Sequence, residues 1–144
     1  MKKLTGILIL LLTLACSSDN VERNPYLPEA RFSERIDIDL PLYSSVNIPG
    51  SAIYINNVGV GIRGVFLANT GSGFIAFEAS CPNHTPNNCS TMTITGGINC
   101  ICSCEDYEYN LFNGQYVGEP DGEKKYPLLN YRTTVSGSSV IISN

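Results

Sequence analysis

Five cysteines and the chain's single histidine fall within residues 81–104. They run Cys81-Pro82-Asn83-His84, then Cys89, Cys100 and Cys102-Ser103-Cys104-Glu105. Thiolates and a neutral imidazole suit soft and borderline metals, so the cluster reads as a metal site or its remnant. Cys81, His84, Cys102 and Cys104 together make a tetrahedral Cys3His set that zinc or a single iron would accept. In an oxidising compartment the default use of cysteine is the disulfide, but staples normally tie distant parts of a domain together. Here the cysteines converge on two adjacent loops. Cys100, two residues before Cys102 and on the same strand face, reads as a small buried hydrophobe.

Other chemistry weighs less. His84 beside Cys81 has the composition of a Cys-His nucleophile pair, but an oxidised or metal-bound thiol is no nucleophile. Glu105, Asp106 and Glu108 offer oxygen ligands, yet alternation along a strand sends them to different faces, as on a solvated edge. Asn83-His84-Thr85 and Asn88-Cys89-Ser90 match the glycosylation sequon at chance frequency. Tyr107, Tyr109, Tyr126 and Tyr131 read as strand core rather than an electron relay. No catalytic constellation emerges; if redox-active, the chain is an electron-transfer component of an oxidoreductase system.

The elements that must position these loops are strands. Ile36-Asp37-Ile38-Asp39-Leu40 alternates strictly between apolar and polar, as a half-buried strand does. Further strand-like runs lie at Ala52–Ile55, Val65–Ala68, Phe74–Phe77, Met92–Thr95, Ile98–Cys102, Tyr107–Phe112, Tyr131–Val135 and Val140–Ile142. Turn residues separate them: Asn56-Asn57, residues 69–73, Gly96-Gly97, Asn113-Gly114 and Ser136-Gly137. No segment sustains a 3.6-residue period. The pattern predicts an all-β, antiparallel sandwich or small barrel.

The 144 residues suffice for one domain. With 43% hydrophobic and 15% charged residues and a net charge of −4, the composition excludes a disordered acidic protein and a coiled coil. A negative chain repels phosphate backbones, so nucleic acid is excluded as a partner. Residues 1–15 read as a signal peptide: Met1-Lys2-Lys3 is positive, Leu4–Ala15 is almost wholly apolar, and that run is shorter than the roughly 20 residues that span a bilayer. Thr13-Leu14-Ala15-Cys16 resembles a bacterial lipobox, which implies lipidation of Cys16 and membrane attachment through that N-terminal lipid. Ser17-Ser18-Asp19-Asn20 resembles the surface-export signals of Bacteroidetes lipoproteins. Residues 16–33 read as a lipidated tether and 34–144 as the domain, which places the chain in the bacterial cell envelope, lipid-anchored at the outer membrane and facing periplasm or exterior.

The domain resembles the Rieske family, an all-β fold holding a [2Fe-2S] cluster between loops of the form C-x-H and C-x-x-H. Phe74-Ile-Ala-Phe77 before Cys81-Pro82 resembles the strand entering the first ligand loop, and Ile101-Cys102-Ser-Cys104 the opening of the second. Tyr107-Glu-Tyr109-Asn, Gly114, Val117-Gly118-Glu-Pro120 and Tyr126-Pro127-Leu128 resemble the family's later aromatic, Gly-Pro and final-hairpin runs. The resemblance implies that Cys81 and Cys102 are the thiolates; His84 lies one residue beyond the family's first histidine and Glu105 occupies the place of the second.

Such a site needs two thiolates on one iron and two imidazoles on the other, and this chain has one histidine. Two thiolates on one iron hold their sulfurs roughly 4 Å apart, so without the metal they close to disulfide range. The resemblance therefore implies a Cys81–Cys102 disulfide in place of the cluster, with Cys89–Cys104 matching the family's loop-to-loop bridge. The resulting expectation is a clusterless, disulfide-locked binding or interaction module without cofactor, meeting an envelope protein partner. The alternative is one-electron transfer through an atypical [2Fe-2S] cluster on Cys81, His84, Cys102 and Glu105, with Cys104 as a substitute ligand.

Overall fold

A computed structural model describes residues 23–144 of the chain. Residues 1–15, expected to be a signal peptide, and Cys16 lie outside the described residues. Nine strands follow one another: β1 (Ser33–Asp37), β2 (Ala52–Ile55), β3 (Val65–Asn69), β4 (Phe74–Glu78), β5 (Thr93–Thr95), β6 (Asn99–Ile101), β7 (Glu108–Asn110), β8 (Asn130–Ser136) and β9 (Ser139–Ser143). One short 3-10 turn at Ser44–Asn47 is the helical element among the described residues.

The apolar run of β3 explains the architecture. All five of its residues are buried, because both of its faces are covered. Alternation sends Val65 and Leu67 into one core, with Ile36, Ile53, Ile55, Ala76, Tyr131, Val140 and Ile142. It sends Phe66 and Ala68 into a second core, with Phe77, Met92, Cys100, Tyr109, Leu111 and Leu128. The first core lies under a six-stranded sheet in the order β1-β9-β8-β4-β3-β2, which we call the base. The second lies under a three-stranded sheet in the order β5-β6-β7, which carries the cysteine loops and which we call the tip. Every pairing is antiparallel, and the curled sheets form the all-β, Rieske-like architecture anticipated from the residue pattern.

β8 and β9 close through Gly137-Ser138, with Ser136 opposite Ser139 and Gly137 at φ 60°. That is the first-position glycine a two-residue hairpin turn favours. β1 ends earlier than its alternation predicts. The carboxylate of Asp37 accepts from the Asp39 N–H at 3.1 Å, turning the chain away, and Leu40 is left 49% exposed. A local side-chain hydrogen bond competes here with the strand ladder. The described end of the segment expected as tether lies against the domain: Leu27 is buried, Asn24 donates to the Pro82 carbonyl at 2.8 Å, and Phe32 meets Tyr131 edge-on.

Candidate functional site

Two loops rise from the ends of β4 and β6 and meet at the tip. Loop 1, residues 79–92, begins where Glu78 ends β4. It is closed by the Ser80↔Thr91 bridge and by hydrogen bonds from Cys81 N to Ser90 O at 2.8 Å and from Met92 N to Ala79 O at 2.8 Å. Its bend is organised by Asn87, whose Oδ1 accepts from Cys89 N at 2.9 Å and whose N–H donates to Ser90 Oγ at 2.6 Å. Asn83 pins the loop from the other side, accepting from Tyr126 N at 2.8 Å and donating to Tyr109 Oη at 2.5 Å. Loop 2 is a tight turn in which Cys102 N donates to Tyr107 O and Asp106 N to Cys102 O, both at 2.9 Å. Asp106 takes φ 58° there, a left-handed conformation that Asp tolerates better than most residues.

These loops bring together the candidate ligands Cys81, His84, Cys102, Cys104 and Glu105. Cys81 and Cys102 form a disulfide whose two residues are each 1% exposed. Cys89 and Cys104 form a second disulfide nearer the surface, with Cys89 exposed. Cys100 is the free cysteine among the described residues, fully buried beside Met92 Sδ at 3.9 Å. Burial, helped by the Glu108 carboxylate, pushes its thiol pKa up to about 12.

His84 lies between the loops. Its Nε2 is 2.8 Å from Ser90 Oγ and 3.3 Å from Cys104 Sγ. Its Nδ1 is buried, and Glu105 Oε1 stands 2.5 Å away, outside hydrogen-bond alignment. The other carboxylate oxygen, Oε2, lies 2.9 Å from Cys102 Sγ. The composition of a Cys-His pair is therefore realised, but the sulfur beside the imidazole nitrogen is Cys104 rather than Cys81.

Cluster chemistry can be tested against this donor set. The sulfur, nitrogen and carboxylate donors of Cys81, His84, Cys102, Cys104 and Glu105 all lie within 4.8 Å of one another, the spacing of one ion's ligand shell. A Rieske centre requires two imidazoles on its second iron. With Glu105 in the place that the resemblance gives one of them, and with Cys81 and Cys102 bonded to each other, these residues do not fit that group. Sulfurs held in disulfides likewise have no thiolate to give a zinc or iron ion.

Three features were not legible in the sequence. Glu78 is 0% exposed, and its carboxylate accepts from Ile62 N, Arg63 N, Ser80 N and Tyr131 Oη at 2.6–2.9 Å. A strand-end glutamate gives no sign of this. Gly61, at φ 67°, permits the approach, because a Cβ there would meet Glu78 Oε2 at 2.8 Å and Gly64 O at 2.6 Å. Lys125 ends the mixed-charge stretch of residues 119–125, and its Nζ reaches Tyr107 Oη at 2.7 Å and lies over the Tyr107 ring. The tyrosine contacts of Asn83 are the third.

An all-β domain with two facing cysteine loops on a curled antiparallel sheet defines the class. The comparisons agree: the terminal oxygenase of carbazole 1,9a-dioxygenase from Novosphingobium sp. KA1 superposes with a TM-score of 0.52 at 14% identity, over 83% of this chain and 31% of that one. A structure of the oxygenase–ferredoxin complex of carbazole 1,9a-dioxygenase gives 0.49 at 19% identity, over 81% and 94%. The ferredoxin of carbazole 1,9a-dioxygenase from Nocardioides aromaticivorans IC177 gives 0.44 at 15% identity, over 67% and 86%. No protein-family model matches the chain, and no curated protein matches it. The domain has the Rieske-like fold.

Proposed function

We propose that this chain is an envelope lipoprotein whose Rieske-like domain presents a disulfide-locked tip to a protein partner. One observation carries the reading: Cys81 and Cys102, the pair that would grip an iron, are joined to each other and buried. The single imidazole is engaged by Glu105, Ser90 and Cys104. Two bonds between loops of this size stiffen the tip by restricting the unfolded chain, and a stiff surface loses less entropy when it docks. The anchor rests on residues 1–20 as read above. Labelled fatty acid entering the wild type and not Cys16→Ser supports it, because the thioether requires that sulfur; label retained by Cys16→Ser removes it.

A second reading, one-electron transfer through an atypical [2Fe-2S] cluster, is favoured by the gathering of five donors within 4.8 Å. Under that reading Cys81, Cys102, His84 and Glu105 are the ligands and Cys104 the substitute. Iron and acid-labile sulfide assays on anaerobically purified protein separate the two. Colourless protein without sulfide supports the locked tip, and visible absorbance that bleaches with acid supports the cluster.

A further inference from the structure

The two disulfides share the tip but not their surroundings. Cys81–Cys102 is sealed in the core. Cys89–Cys104 has an exposed sulfur-bearing residue at one end, and at the other a sulfur 3.3 Å from His84 Nε2. Behind the imidazole, Glu105 Oε1 stands 2.5 Å from Nδ1. Sulfur, imidazole and carboxylate thus fall in the order found wherever a nucleophile is paired with a base and the base with an orienting group. Here the sulfur is half of a disulfide, so the same order serves a leaving group.

We propose that Cys89–Cys104 is an exchange-active disulfide that accepts electrons from a dithiol protein of the envelope, with Cys104 as the leaving sulfur and His84 and Glu105 as positioning residues for it. The incoming thiolate attacks the sulfur of Cys89, the exposed residue of the pair. A new S–S bond forms between partner and Cys89, the Cys89–Cys104 bond breaks, and its electron pair leaves on Cys104 Sγ. His84 Nε2 faces that sulfur at 3.3 Å, where a ring N–H can donate to the departing thiolate, and the Glu105 carboxylate packs against the other ring nitrogen at 2.5 Å. A leaving thiolate stabilised in this way departs faster. The partner's second thiol then attacks its own sulfur in the mixed disulfide, closing the partner's disulfide and releasing Cys89 as a thiol. Two electrons and two protons pass from the dithiol to Cys89 and Cys104. Asn87 Oδ1, 3.0 Å from Cys89 Sγ, and Ser90 Oγ, 2.8 Å from Nε2, complete the polar surroundings. Cys81–Cys102, being buried, stays closed and keeps the loops in place during the exchange.

This inference rests on the disulfide-locked reading, and its failure is distinguishable from the failure of that reading. Purified full chain is treated with reduced glutathione, quenched with an alkylating agent and mapped by mass spectrometry. The expected product carries glutathione on Cys89 and the alkyl group on Cys104, with Cys81–Cys102 intact. Glutathione on Cys104, no adduct, or equal opening of both disulfides overturns the inference while leaving the locked tip standing. Absence of a Cys89–Cys104 bond in the untreated chain overturns the locked reading itself. With dithiothreitol, His84→Gln and Glu105→Gln are expected to slow opening of Cys89–Cys104 by about tenfold, since exchange rates follow the stability of the leaving thiolate. An unchanged rate in both variants, with the bond formed, overturns the role given to His84 and Glu105.

Discussion

In the base, β3 and β4 feed alternate side chains to two cores, and six strands share a ladder that runs from β1 to β2. In the tip, three strands of three residues each support loops 1 and 2, and those loops are joined by two disulfides and a histidine–carboxylate contact. Burial of apolar surface suffices where strands are long enough to alternate. The tip strands are too short to alternate far, so covalent links between the loops add to the second core there. Glu78 lies where the two regions meet, ending β4 and binding the 61–64 segment, Ser80 and β8 through one carboxylate.

The largest expected effect separates the regions directly. Replacing Cys81 and Cys102 together by alanine should cost about 2–5 kcal/mol in denaturant unfolding of the oxidised protein. Amide exchange should accelerate first in residues 79–92 and 99–107 while β1, β8 and β9 keep their protection. Equal loss of protection in both regions would show that base and tip do not differ as described. Next comes the junction. Glu78→Gln removes the charge from four hydrogen bonds and turns an amide N–H₂ toward groups that are themselves donors, at a cost of about 1.5–3 kcal/mol, read from the same unfolding curves. Tyr131→Phe removes one of those bonds and should cost about 1–2 kcal/mol.

The smallest effect concerns alkali. Burial raises the Cys100 thiol from 9.0 to about 12, and the Tyr109 and Tyr131 hydroxyls are raised by burial as well. For an acid whose folded pKa lies above its unfolded value, the folded state resists deprotonation. This stability is fully present below the unfolded pKa and is lost as pH rises through the folded one. Unfolding free energy should therefore decline as pH rises from 9 towards 12, and Cys100→Ala should shallow that decline. An identical slope in Cys100→Ala would remove Cys100 as its source. At pH 8 the native Cys100 thiol should resist alkylation.

Much of the base was legible in the sequence because burial leaves a period. The run Ala52–Ile55 is β2 as expected, and the runs at Val65, Phe74, Tyr131 and Val140 lie within one residue of β3, β4, β8 and β9 at either end. β1 was placed too far along because an alternating pattern continues through Ile38-Asp39-Leu40, whereas the Asp37 carboxylate turns the backbone out of the ladder. The tip was legible as a list of residues, since cysteine and histidine are rare enough for clustering to carry meaning. Their pairing within the fold was not written in any period. Only folding brings His84 to Cys104 across 20 residues, and only the ends of β4 and β8 bring Tyr131 to Glu78 across 53.

The central claim is that Cys81 and Cys102 are bonded to each other, and one measurement meets it head on. Full-length protein isolated without reductant is assayed for iron and acid-labile sulfide, and its peptides are mapped without reduction. The account predicts neither iron nor sulfide in stoichiometric amount, a Cys81–Cys102 and a Cys89–Cys104 peptide pair, and Cys100 as the one free thiol between residues 81 and 104. Two irons and two sulfides per chain, with Cys81 and Cys102 recovered as thiols, would contradict it.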